Sequence, residues 1–539
     1  MFSANNRPEI IEKLQSETFD ILVIGGGITG VGIALDAAGR GLKVALVEKQ
    51  DFAAGTSSRS TKLIHGGLRY LKQLEFGLVR EVGHERKTVY HNAPHLVEPE
   101  RMLLPIVKGG SFGKASASLG IYTYDWLIGV NSNERRVVLD RESSIKHEPL
   151  LRKDGLEAGV VYWEYRTDDA RLVAEVAKTA ASDGALLLNY CQFQSFNYAE
   201  NHISGAAVRC IKTNIVFNIS ATKTINAAGP WVDEVRVNDE KISGKRLHLT
   251  KGAHLVFDHD RLPLKQSVYF DVEDGRMIFA IPRNGATYVG TTDTNYSGPM
   301  ERPSVSLEDV DYILKAANAA FETKLLTKED IRSSWAGLRP LIHEDGKSPS
   351  ELSRKDEIFI SDRGLISIAG GKLTGYRKMA ERTVDLALKQ LHEEFEVPRS
   401  ASRSNARKLT GGGFHSYRAF LVELGETIYS DKEIYDLYHR FGSNAFEILT
   451  LVDASERDTT KALLLAELAY CSEHEMITDL SDFLIRRTGR LYFEKALADK
   501  YAVELNEQLA VLLNLSIENA NKSLQTYLAE SEDVLSFTN

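Results

Sequence analysis

Residues 19–48 read FDILVIGGGITGVGIALDAAGRGLKVALVE, and they hold the strongest structural signal in the chain. The short apolar run Phe19–Ile24 is typical of a strand that is buried on both faces. Three glycines follow it directly in the spacing G-x-G-x-x-G, and small residues continue into a helical stretch. Lys43–Val47 then predicts a second strand. This order of strand, glycine turn, helix and strand is that of a βαβ unit that binds a dinucleotide.

The three glycines and Glu48 have separate roles in such a unit. Gly25 permits the tight turn, Gly27 lets the backbone approach a pyrophosphate, and Gly30 allows the helix to pack closely on the strand. Free N–H groups at the start of the helix face the anion. Glu48 ends the second strand, where a carboxylate accepts hydrogen bonds from both ribose hydroxyls and repels a 2′-phosphate. We therefore expect an adenine dinucleotide without that phosphate.

The composition is that of a globular protein without a nucleic-acid partner. The 539 residues are 43% hydrophobic and 26% charged with a net charge of −9, whereas general nucleic-acid binders carry a basic excess. The 3 cysteines are far apart and give neither a zinc-binding spacing nor a disulfide framework. We therefore expect no metal site, a reducing compartment such as the cytoplasm, and buried thiols without a role.

No long apolar segment predicts a membrane-spanning helix, and the N-terminus lacks the features of a signal peptide. Peripheral attachment stays open because Leu119–Val130 combines tyrosines, a tryptophan and aliphatic residues close to Lys114, Arg135 and Arg136. Such a mixture suits the headgroup region of a membrane. A segment of the protein core is nevertheless the first interpretation of this pattern.

Composition changes most clearly at residues 393–413, EEFEVPRSASRSNARKLTGGG, which are polar and end in three glycines. Beyond this boundary helical spacing dominates, so residues 401–539 are predicted to form an all-α domain. Before it, strand-like stretches at residues 184–189, 202–209 and 247–257, followed by residues 268–290 with their Asp-Gly and Asn-Gly turns, predict an antiparallel sheet. We expect an α/β fold in which a Rossmann-like dinucleotide-binding domain is interleaved with an antiparallel-sheet substrate domain and followed by the C-terminal all-α domain.

Two later segments repeat the pattern of a strand followed by a turn of small residues. They are Thr222–Trp231, TKTINAAGPW, and Leu365–Arg377, LISIAGGKLTGYR. Either could be an ordinary turn, but three such turns in one chain favour a shared ligand. A helix that begins near Lys372–Gly375 would place its N-terminus beside the pyrimidine edge of a flavin, where it stabilises the charge of the reduced ring.

The stretch after Glu48, DFAAGTSSRSTKLIHGGLRYL, is dense in hydroxyl, glycine and basic residues. Together with GGGITG, NAAGPW, AGLRPL and AGGKLTGYRK, it closely resembles the FAD-dependent glycerol-3-phosphate dehydrogenases of the D-amino-acid-oxidase-like flavoprotein superfamily. The resemblance covers essentially the whole chain, including a helical C-terminal domain. We expect an oxidoreductase region at residues 1–400, with FAD-binding segments at about 18–75, 150–245 and 345–395 and substrate-domain segments at about 76–149 and 246–344.

FAD is the cofactor that the resemblance implies, and the third turn favours it weakly over NAD. By that resemblance, Gly25, Gly27, Gly30 and Glu48 hold the adenosine diphosphate half. The other implied cofactor-binding residues line the path to the isoalloxazine ring, contribute the second turn or close on the far edge of the ring. They are Ser57, Ser58, Thr61, Lys62, Leu63, Ala228, Gly229, Gly371, Lys372, Leu373 and Thr374.

The implied substrate is sn-glycerol 3-phosphate, a dianion that needs several donors, best from guanidinium groups and a lysine. The family motifs direct five side chains to the substrate or the flavin: Arg69, Tyr70, Arg339, Arg354 and Lys372. Taken singly, each arginine is more often a surface or ion-pair residue. Arg339 is the strongest candidate because apolar neighbours in AGLRPL surround it.

Oxidation at C2 needs hydride transfer to flavin N5 and removal of the hydroxyl proton, for which a neutral imidazole is the natural base. His65 and His254 are the candidates, and a structural role is the alternative for each. With Arg339 they form the predicted catalytic set. Residues 291–293 in VGTTD also resemble a family motif, and a hydrogen-bonded turn is expected there.

The predicted reaction gives dihydroxyacetone phosphate and passes electrons to a membrane quinone, with the protein attached peripherally to the inner face of the cell membrane. A homodimer is an open option. The alternatives are an oxidase that reduces O2 to H2O2, an amine or amino-acid oxidase of the same fold, and a scaffold without redox chemistry. Oxidases that use O2 are usually longer, with an inserted segment in the middle of the chain, and this sequence shows no such surplus loop. The several cationic residues argue against an amine or amino-acid oxidase, because they suit a phosphate better than a single carboxylate.

Overall fold

The computed structural model describes residues 2–65, 76–110, 134–242, 244–343 and 356–539. Several residues singled out in the sequence lie outside these ranges, namely Arg69, Tyr70, Arg354 and the segment Leu119–Val130. Within the described ranges, no helix combines the length and the apolar character that crossing a membrane requires.

The strands build two sheets. In chain order they are β1 (Thr18–Ile24), β2 (Val44–Val47), β3 (Leu63–Ile64), β4 (Val97–Val107), β5 (Val137–Asp140), β6 (Leu156–Thr167), β7 (Leu186–Leu188), β8 (Cys191–Ala199), β9 (His202–Cys210), β10 (Val216–Asn226), β11 (Leu247–Asp258), β12 (Ser267–Asp271), β13 (Met277–Arg283), β14 (Ala286–Gly290), β15 (Thr294–Asn295), β16 (Ile331–Ile342), β17 (Asp356–Ile360) and β18 (Ile366–Gly370).

The α-helices are distributed along the whole chain. They are α1 (Arg7–Ser16), α2 (Ile28–Gly39), α3 (Phe76–Asn92), α4 (Arg141–His147), α5 (Asp169–Ser182), α6 (Val232–Arg236), α7 (Leu307–Ala320), α8 (Tyr376–Phe395), α9 (Tyr417–Leu424), α10 (Asp431–Phe441), α11 (Ala445–Thr450), α12 (Thr459–His474), α13 (Arg490–Phe493), α14 (Lys495–Lys500), α15 (Ala502–Leu512) and α16 (Ile517–Asp533). A π-helical turn, Asp482–Arg487, lies between α12 and α13.

The first sheet has the strand order β17-β18-β10-β1-β2-β7, with β9 beside β10 and β8 beside β9. The expectation that residues 184–189 and 202–209 belong to the antiparallel sheet was wrong, because β7 pairs in parallel with β2 and β9 pairs with β10. β1 lies inside it and pairs in parallel with both β10 and β2. Both faces of β1 are covered, so Phe19, Ile21, Leu22 and Val23 are at most 1% exposed. α2 connects β1 to β2 and packs between α5 and α8. The βαβ unit predicted for residues 19–48 is therefore confirmed.

The second sheet is mainly antiparallel, with the order β15-β11-β14-β13-β12-β4-β6-β3, β16 beside β11 and β5 beside β6. Along the chain, β1 and β2 belong to the first sheet, β3 to β6 to the second, β7 to β10 to the first, β11 to β16 to the second, and β17 and β18 to the first. The two sheets are therefore interleaved in sequence, as expected for this fold class.

β6 lies in the second sheet, although residues 150–245 were expected to belong to the FAD-binding region. A long antiparallel ladder with β4, running from Val97 opposite Thr167 to Val107 opposite Leu156, fixes β6 there. We therefore propose that the second FAD-binding segment begins at α5, after β6.

The C-terminal helices pack on one face of the second sheet, and α7 covers the other face. Trp335 of β16 and Tyr288 of β14 contact the ring of Phe493, with centroid distances of 5.9 and 5.7 Å. This all-α domain therefore packs directly on the second sheet and shares an apolar core with it.

Candidate active site

The turn between β1 and α2 requires glycine at two positions. Gly25 has a φ of +116°, and a Cβ there would lie 2.5 Å from the carbonyl oxygen of Ala227. A Cβ on Gly30 would collide with the carbonyl oxygen of Gly25, so α2 approaches β1 more closely than any side chain permits. Gly27 caps α2, and the first residues of this helix line a cavity. The backbone thus presents a helix N-terminus to that cavity, as anion binding requires.

The turns after β1, β10 and β18 line this one cavity, which has a volume of about 380 Å³. The three strands are parallel neighbours, so their carboxyl ends meet at one edge of the sheet. The predicted cofactor-binding residues that line the cavity are Gly25, Gly27, Glu48, Ser57, Ala228, Gly229, Gly371, Lys372 and Leu373. The other six, which do not line it, are Gly30, Ser58, Thr61, Lys62, Leu63 and Thr374.

Glu48 follows β2 at the wall of the cavity. Its Oε2 accepts a hydrogen bond from the Gly26 N–H at 2.7 Å, and its Oε1 accepts one from the Gln50 N–H at 2.8 Å. Burial raises the pKa of Glu48, and these two N–H groups oppose that effect. Each carboxylate oxygen has a further lone pair, so the side chain can still accept the two ribose hydroxyls of a dinucleotide.

The hydroxyl-rich segment ties the two sheets together beside the cavity. Ser57 Oγ accepts a hydrogen bond from the Ile28 N–H of α2 at 3.0 Å. Thr56 Oγ1 donates to the carbonyl oxygen of Leu338 in β16 at 2.7 Å. Because these bonds join α2 to the second sheet, the segment lies where the nucleotide-binding turn meets the substrate domain.

Lys62 has a different place from the one expected of a cofactor-lining residue. Its side chain is 2% exposed, and its Nζ donates to Asp169 Oδ1 at 2.5 Å and to the Ser58 carbonyl oxygen at 3.0 Å. Ser60 also donates to the Asp169 carboxylate, through its N–H and its hydroxyl. We interpret Lys62 and Asp169 as a buried ion pair that fixes the shape of the hydroxyl-rich segment.

The third turn brings His65 and Thr374 together. Thr374 Oγ1 accepts a hydrogen bond from the His65 N–H at 3.1 Å and donates to the His65 carbonyl oxygen at 3.2 Å. The imidazole of His65 meets the Phe279 ring edge-on, at a centroid distance of 6.0 Å. Lys372 is extended and lines the cavity just before the short helical turn Leu373–Gly375.

Arg339 lies on β16 and is held by the turn after β14. Its Nη1 donates to the Thr292 carbonyl oxygen and to Asp293 Oδ1, both at 3.1 Å, and its Nη2 donates to Thr291 Oγ1 at 3.0 Å. A Cβ on Gly252 of β11 would collide with Arg339 Nη2. The guanidinium therefore extends across β11 in the space that a glycine leaves open.

His254 lies on the same face of the sheet. It is 1% exposed, its Nε2 is 3.0 Å from Thr61 Oγ1, and its ring stacks on Trp335 at a centroid distance of 4.7 Å. Burial, and then the positive charges of Arg339 and Lys62, hold the pKa of His254 well below the usual histidine value. The imidazole is therefore neutral at neutral pH, and one of its nitrogens is basic in either tautomer.

A charged cluster covers the cavity beside Glu48. Lys49 Nζ lies 2.8 Å from Glu301 Oε1 and 4.0 Å above the centre of the Trp231 ring, and Trp231 Nε1 donates to the same Glu301 oxygen at 3.1 Å. Trp231 itself lines the cavity. The cluster joins the second nucleotide-binding turn to a loop of the second sheet.

Several residues around the site were not singled out in the sequence. Asp169 and Asp51 hold the hydroxyl-rich segment and the loop before it, and no local pattern marks either of them. Cys191 also lines the cavity, and like Cys210 and Cys471 it is a buried free thiol. For Asp293, VGTTD predicted a turn with a hydrogen-bonding role, but the partner Arg339 was not predicted.

Comparisons with known proteins agree with this geometry. Residues 20–377 match a family described as FAD dependent oxidoreductase, and residues 402–520 match the C-terminal domain of alpha-glycerophosphate oxidase. The chain is 50% identical over 504 residues to an aerobic glycerol-3-phosphate dehydrogenase of Bacillus subtilis, covering 92% of this chain and 91% of the relative. A relative of the same name from Staphylococcus haemolyticus is 48% identical over 531 residues, covering 96% of this chain and 95% of that protein.

A solved structure shares the whole architecture. The glycerol-3-phosphate dehydrogenase from Bacillus halodurans, solved in complex with FAD, superposes with a TM-score of 0.84 and 42% sequence identity. The match covers 99% of both chains.

Proposed function

Because this chain belongs to the family of FAD-dependent glycerol-3-phosphate dehydrogenases, we propose that it oxidises sn-glycerol 3-phosphate to dihydroxyacetone phosphate. FAD is its cofactor, and the glycine turn, Glu48 and the turn at Gly371 fit the two ends of this dinucleotide. Bound FAD supplies the hydride acceptor at N5. The protein must then bind a dianion and accept the proton of the C2 hydroxyl.

The observation that carries the proposal is a guanidinium beside a neutral imidazole. Arg339 pairs with Thr250 across the two strands, and Trp335 pairs with His254. Residues four apart on a strand point to the same face, so Arg339 and His254 share one side of the sheet. Burial, and then the positive charges of Arg339 and Lys62, lower the pKa of His254, so the imidazole on this side of the sheet is neutral.

Each of these groups has a distinct task in the proposed reaction. Arg339 binds anionic oxygens of the substrate, and the turn at residues 291–293 orients its planar group. His254 accepts the hydroxyl proton, and Thr61 and Trp335 fix the orientation of its ring. His65 stays the alternative candidate for the base, and hydrogen bonds between its backbone and Thr374 fix its position.

We further propose that a membrane quinone accepts the electrons, with the protein attached peripherally to the inner face of the cell membrane. The alternative acceptor is O2, which would make the enzyme an oxidase. The membrane surface and the homodimer stay predictions, and the segment Leu119–Val130 lies outside the described residues.

Anaerobic bleaching of the flavin tests the substrate. Glycerol 3-phosphate is expected to remove the absorption of oxidised flavin, whereas D-amino acids and sarcosine leave it unchanged. Bleaching by an amino acid, or no bleaching by glycerol 3-phosphate, would overturn the proposal.

Reoxidation of the reduced enzyme tests the acceptor. A soluble quinone analogue is expected to restore the flavin absorption in a stopped-flow experiment much faster than air-saturated buffer does. Faster reoxidation by O2, with stoichiometric H2O2, would replace the dehydrogenase with an oxidase.

A further inference from the structure

Asp51 follows Glu48 by three positions and is bound by arginines from the C-terminal domain. Arg487 donates to both of its carboxylate oxygens, from Nη1 at 2.8 Å and from Nη2 at 3.0 Å. Arg486 Nε donates to Oδ2 at 2.7 Å, and Asn189 Nδ2 donates to Oδ1 at 2.9 Å. The side chain of Asp51 is 0% exposed and that of Arg487 is 1% exposed, so this contact is fully desolvated.

Contacts other than the one with Asp51 also fix the orientation of the two arginines. The arginines are the last residues of the π-helical turn Asp482–Arg487. This geometry is rare in proteins, and where it occurs it is often found at functional sites. Asp482 receives hydrogen bonds from Arg486 at 2.5 Å and from the Tyr190 hydroxyl at 2.7 Å. Arg487 Nη2 also donates to the Glu475 carbonyl oxygen at 2.8 Å. Both guanidinium groups are therefore presented in a set orientation.

The segment that Asp51 anchors forms one wall of the FAD cavity. Residues 48–50 and 54–57 line the cavity on both sides of Asp51. Between them the backbone turns sharply: Ala53 has a φ of +65°, its N–H donates to the Gly26 carbonyl oxygen at 3.1 Å, and the Ala54 N–H donates to the Asp51 carbonyl oxygen at 3.1 Å. A non-glycine residue at such a φ needs support from its surroundings.

A purely structural ion pair between domains is the competing explanation. Buried ion pairs that serve only stability occur elsewhere in the molecule, such as Arg490 with Glu467 at 2.6 and 2.9 Å, which lies within the C-terminal domain and away from the residues that line the cavity. Asp51 differs from them because it lies between two runs of residues, 48–50 and 54–57, that line the cavity. Its position must therefore affect the groups that face the ribose and the pyrophosphate.

We propose that Arg486 and Arg487 are positioning residues for FAD, which act through Asp51 to hold residues 48–58 in the conformation that binds the cofactor. The C-terminal domain thereby contributes to cofactor affinity without contacting the cofactor. This inference rests on FAD occupying the cavity and is independent of the substrate assigned above.

The dissociation constant for FAD, measured on variants of this contact, tests the proposal. Asp51→Asn and Arg487→Lys are expected to raise the Kd for FAD on the order of ten-fold, measured by the recovery of free-flavin fluorescence from the holoenzyme. Arg490→Lys is the matched control, since it disturbs a buried arginine within the C-terminal domain alone. It is expected to lower thermal stability while the Kd stays within about two-fold of the original value. Equal effects of Arg487→Lys and Arg490→Lys on the Kd, or no effect of Asp51→Asn, would overturn the proposal.

Amide hydrogen exchange gives a second test that needs no variant. Coupling between sites is reciprocal, so removal of FAD is expected to increase exchange in residues 49–58 and also in residues 482–488. Residues 459–474 of α12 serve as the internal reference. Exchange in residues 482–488 that does not respond to FAD would overturn the proposal, whatever the variants do to folding.

Discussion

Arg339 depends on its neighbours for its orientation, and single substitutions separate its charge from its geometry. Arg339→Ala removes the guanidinium and is expected to cost about 2 kcal/mol of substrate binding, roughly a thirty-fold rise in KM. Asp293→Asn leaves the guanidinium in place but removes the charged partner at 3.1 Å, so a rise of roughly five-fold is expected. Steady-state kinetics with a constant flavin content would check both. Unchanged KM values would place Arg339 outside the substrate pocket.

If His254 is the base, kcat/KM should depend on pH in a characteristic way. The reaction needs its neutral form, and burial together with the charges of Arg339 and Lys62 holds its pKa well below the usual value. The acid limb of kcat/KM is therefore expected to lie below pH 6.5, the usual histidine pKa of about 6.5. Arg339→Met removes a repelling charge, which raises the pKa of His254 and shifts this limb to higher pH. A limb at the same pH in both enzymes would assign the base elsewhere.

Side-chain partners that are distant in sequence could not be predicted. The serines, threonines and Lys62 after Glu48 indicated a site, yet the ammonium of Lys62 binds Asp169, which lies 107 positions later. Arg487 and Asp51 are 436 positions apart. Such pairs depend on tertiary structure, whereas the glycines and Glu48 act within one short unit and leave a local pattern.

Among the elements, the junction of β1 and α2 is the most sensitive to a single added carbon. Gly30→Ala would place a Cβ against the Gly25 carbonyl oxygen, so the helix must move away from the strand. The purified variant is expected to contain little FAD, measured by the ratio of flavin to protein absorbance. Gly39→Ala in the same helix is the control, because its Cβ would meet only Asp183 Oδ2 at 3.9 Å. Full flavin content in Gly30→Ala would contradict this view of the turn.

Strands with conflicting local signals were harder to predict. Four parallel strands of the first sheet, β1, β2, β10 and β18, were found because apolar runs or turns of small residues mark them, whereas β7, which pairs in parallel with β2, was assigned to the antiparallel sheet. β4 contains Pro99 and Pro105, and proline usually argues against a strand, so its long ladder with β6 was missed. The helical character predicted for residues 401–539 was correct in type, but within residues 480–500 Gly489, with a φ of +66°, separates a π-helical turn from the short helices α13 and α14.

For the whole molecule, Glu475 is a second charge, besides the Asp51 contact, that joins the C-terminal domain to the FAD-binding region. Burial raises its pKa, but Arg171 at 2.5 Å and Lys178 at 3.0 Å outweigh that effect and hold the pKa well below the usual value. Glu475→Gln removes one of the two buried carboxylates that these cations share, leaving Glu175 as the other, and is expected to lower the free energy of unfolding by about 3 kcal/mol. Urea denaturation would measure the change, with the exposed neighbour Glu473→Gln as the control. A loss equal to that of the control would show that the bridge is dispensable.

The lowered pKa of Glu475 also predicts how acid affects the stability of the native state. A carboxyl group whose pKa is lowered on folding stabilises the protein above its unfolded pKa, and that contribution is lost as the pH falls toward the folded pKa. The difference in unfolding free energy between the original protein and Glu475→Gln is therefore expected to shrink below pH 4.3, the unfolded glutamate pKa of about 4.3. A difference that stays constant down to low pH would contradict the charge pairing.

Trp231 stands at the wall of the FAD cavity with its indole nitrogen bound to Glu301. Tryptophan emits light in the near ultraviolet, where oxidised flavin absorbs, so an excited indole in this position passes its energy to a bound isoalloxazine instead of emitting. The emission of the protein should consequently brighten as FAD departs. The occupancy of the cavity by FAD can therefore be followed in the purified protein by its own tryptophan emission, without any added dye.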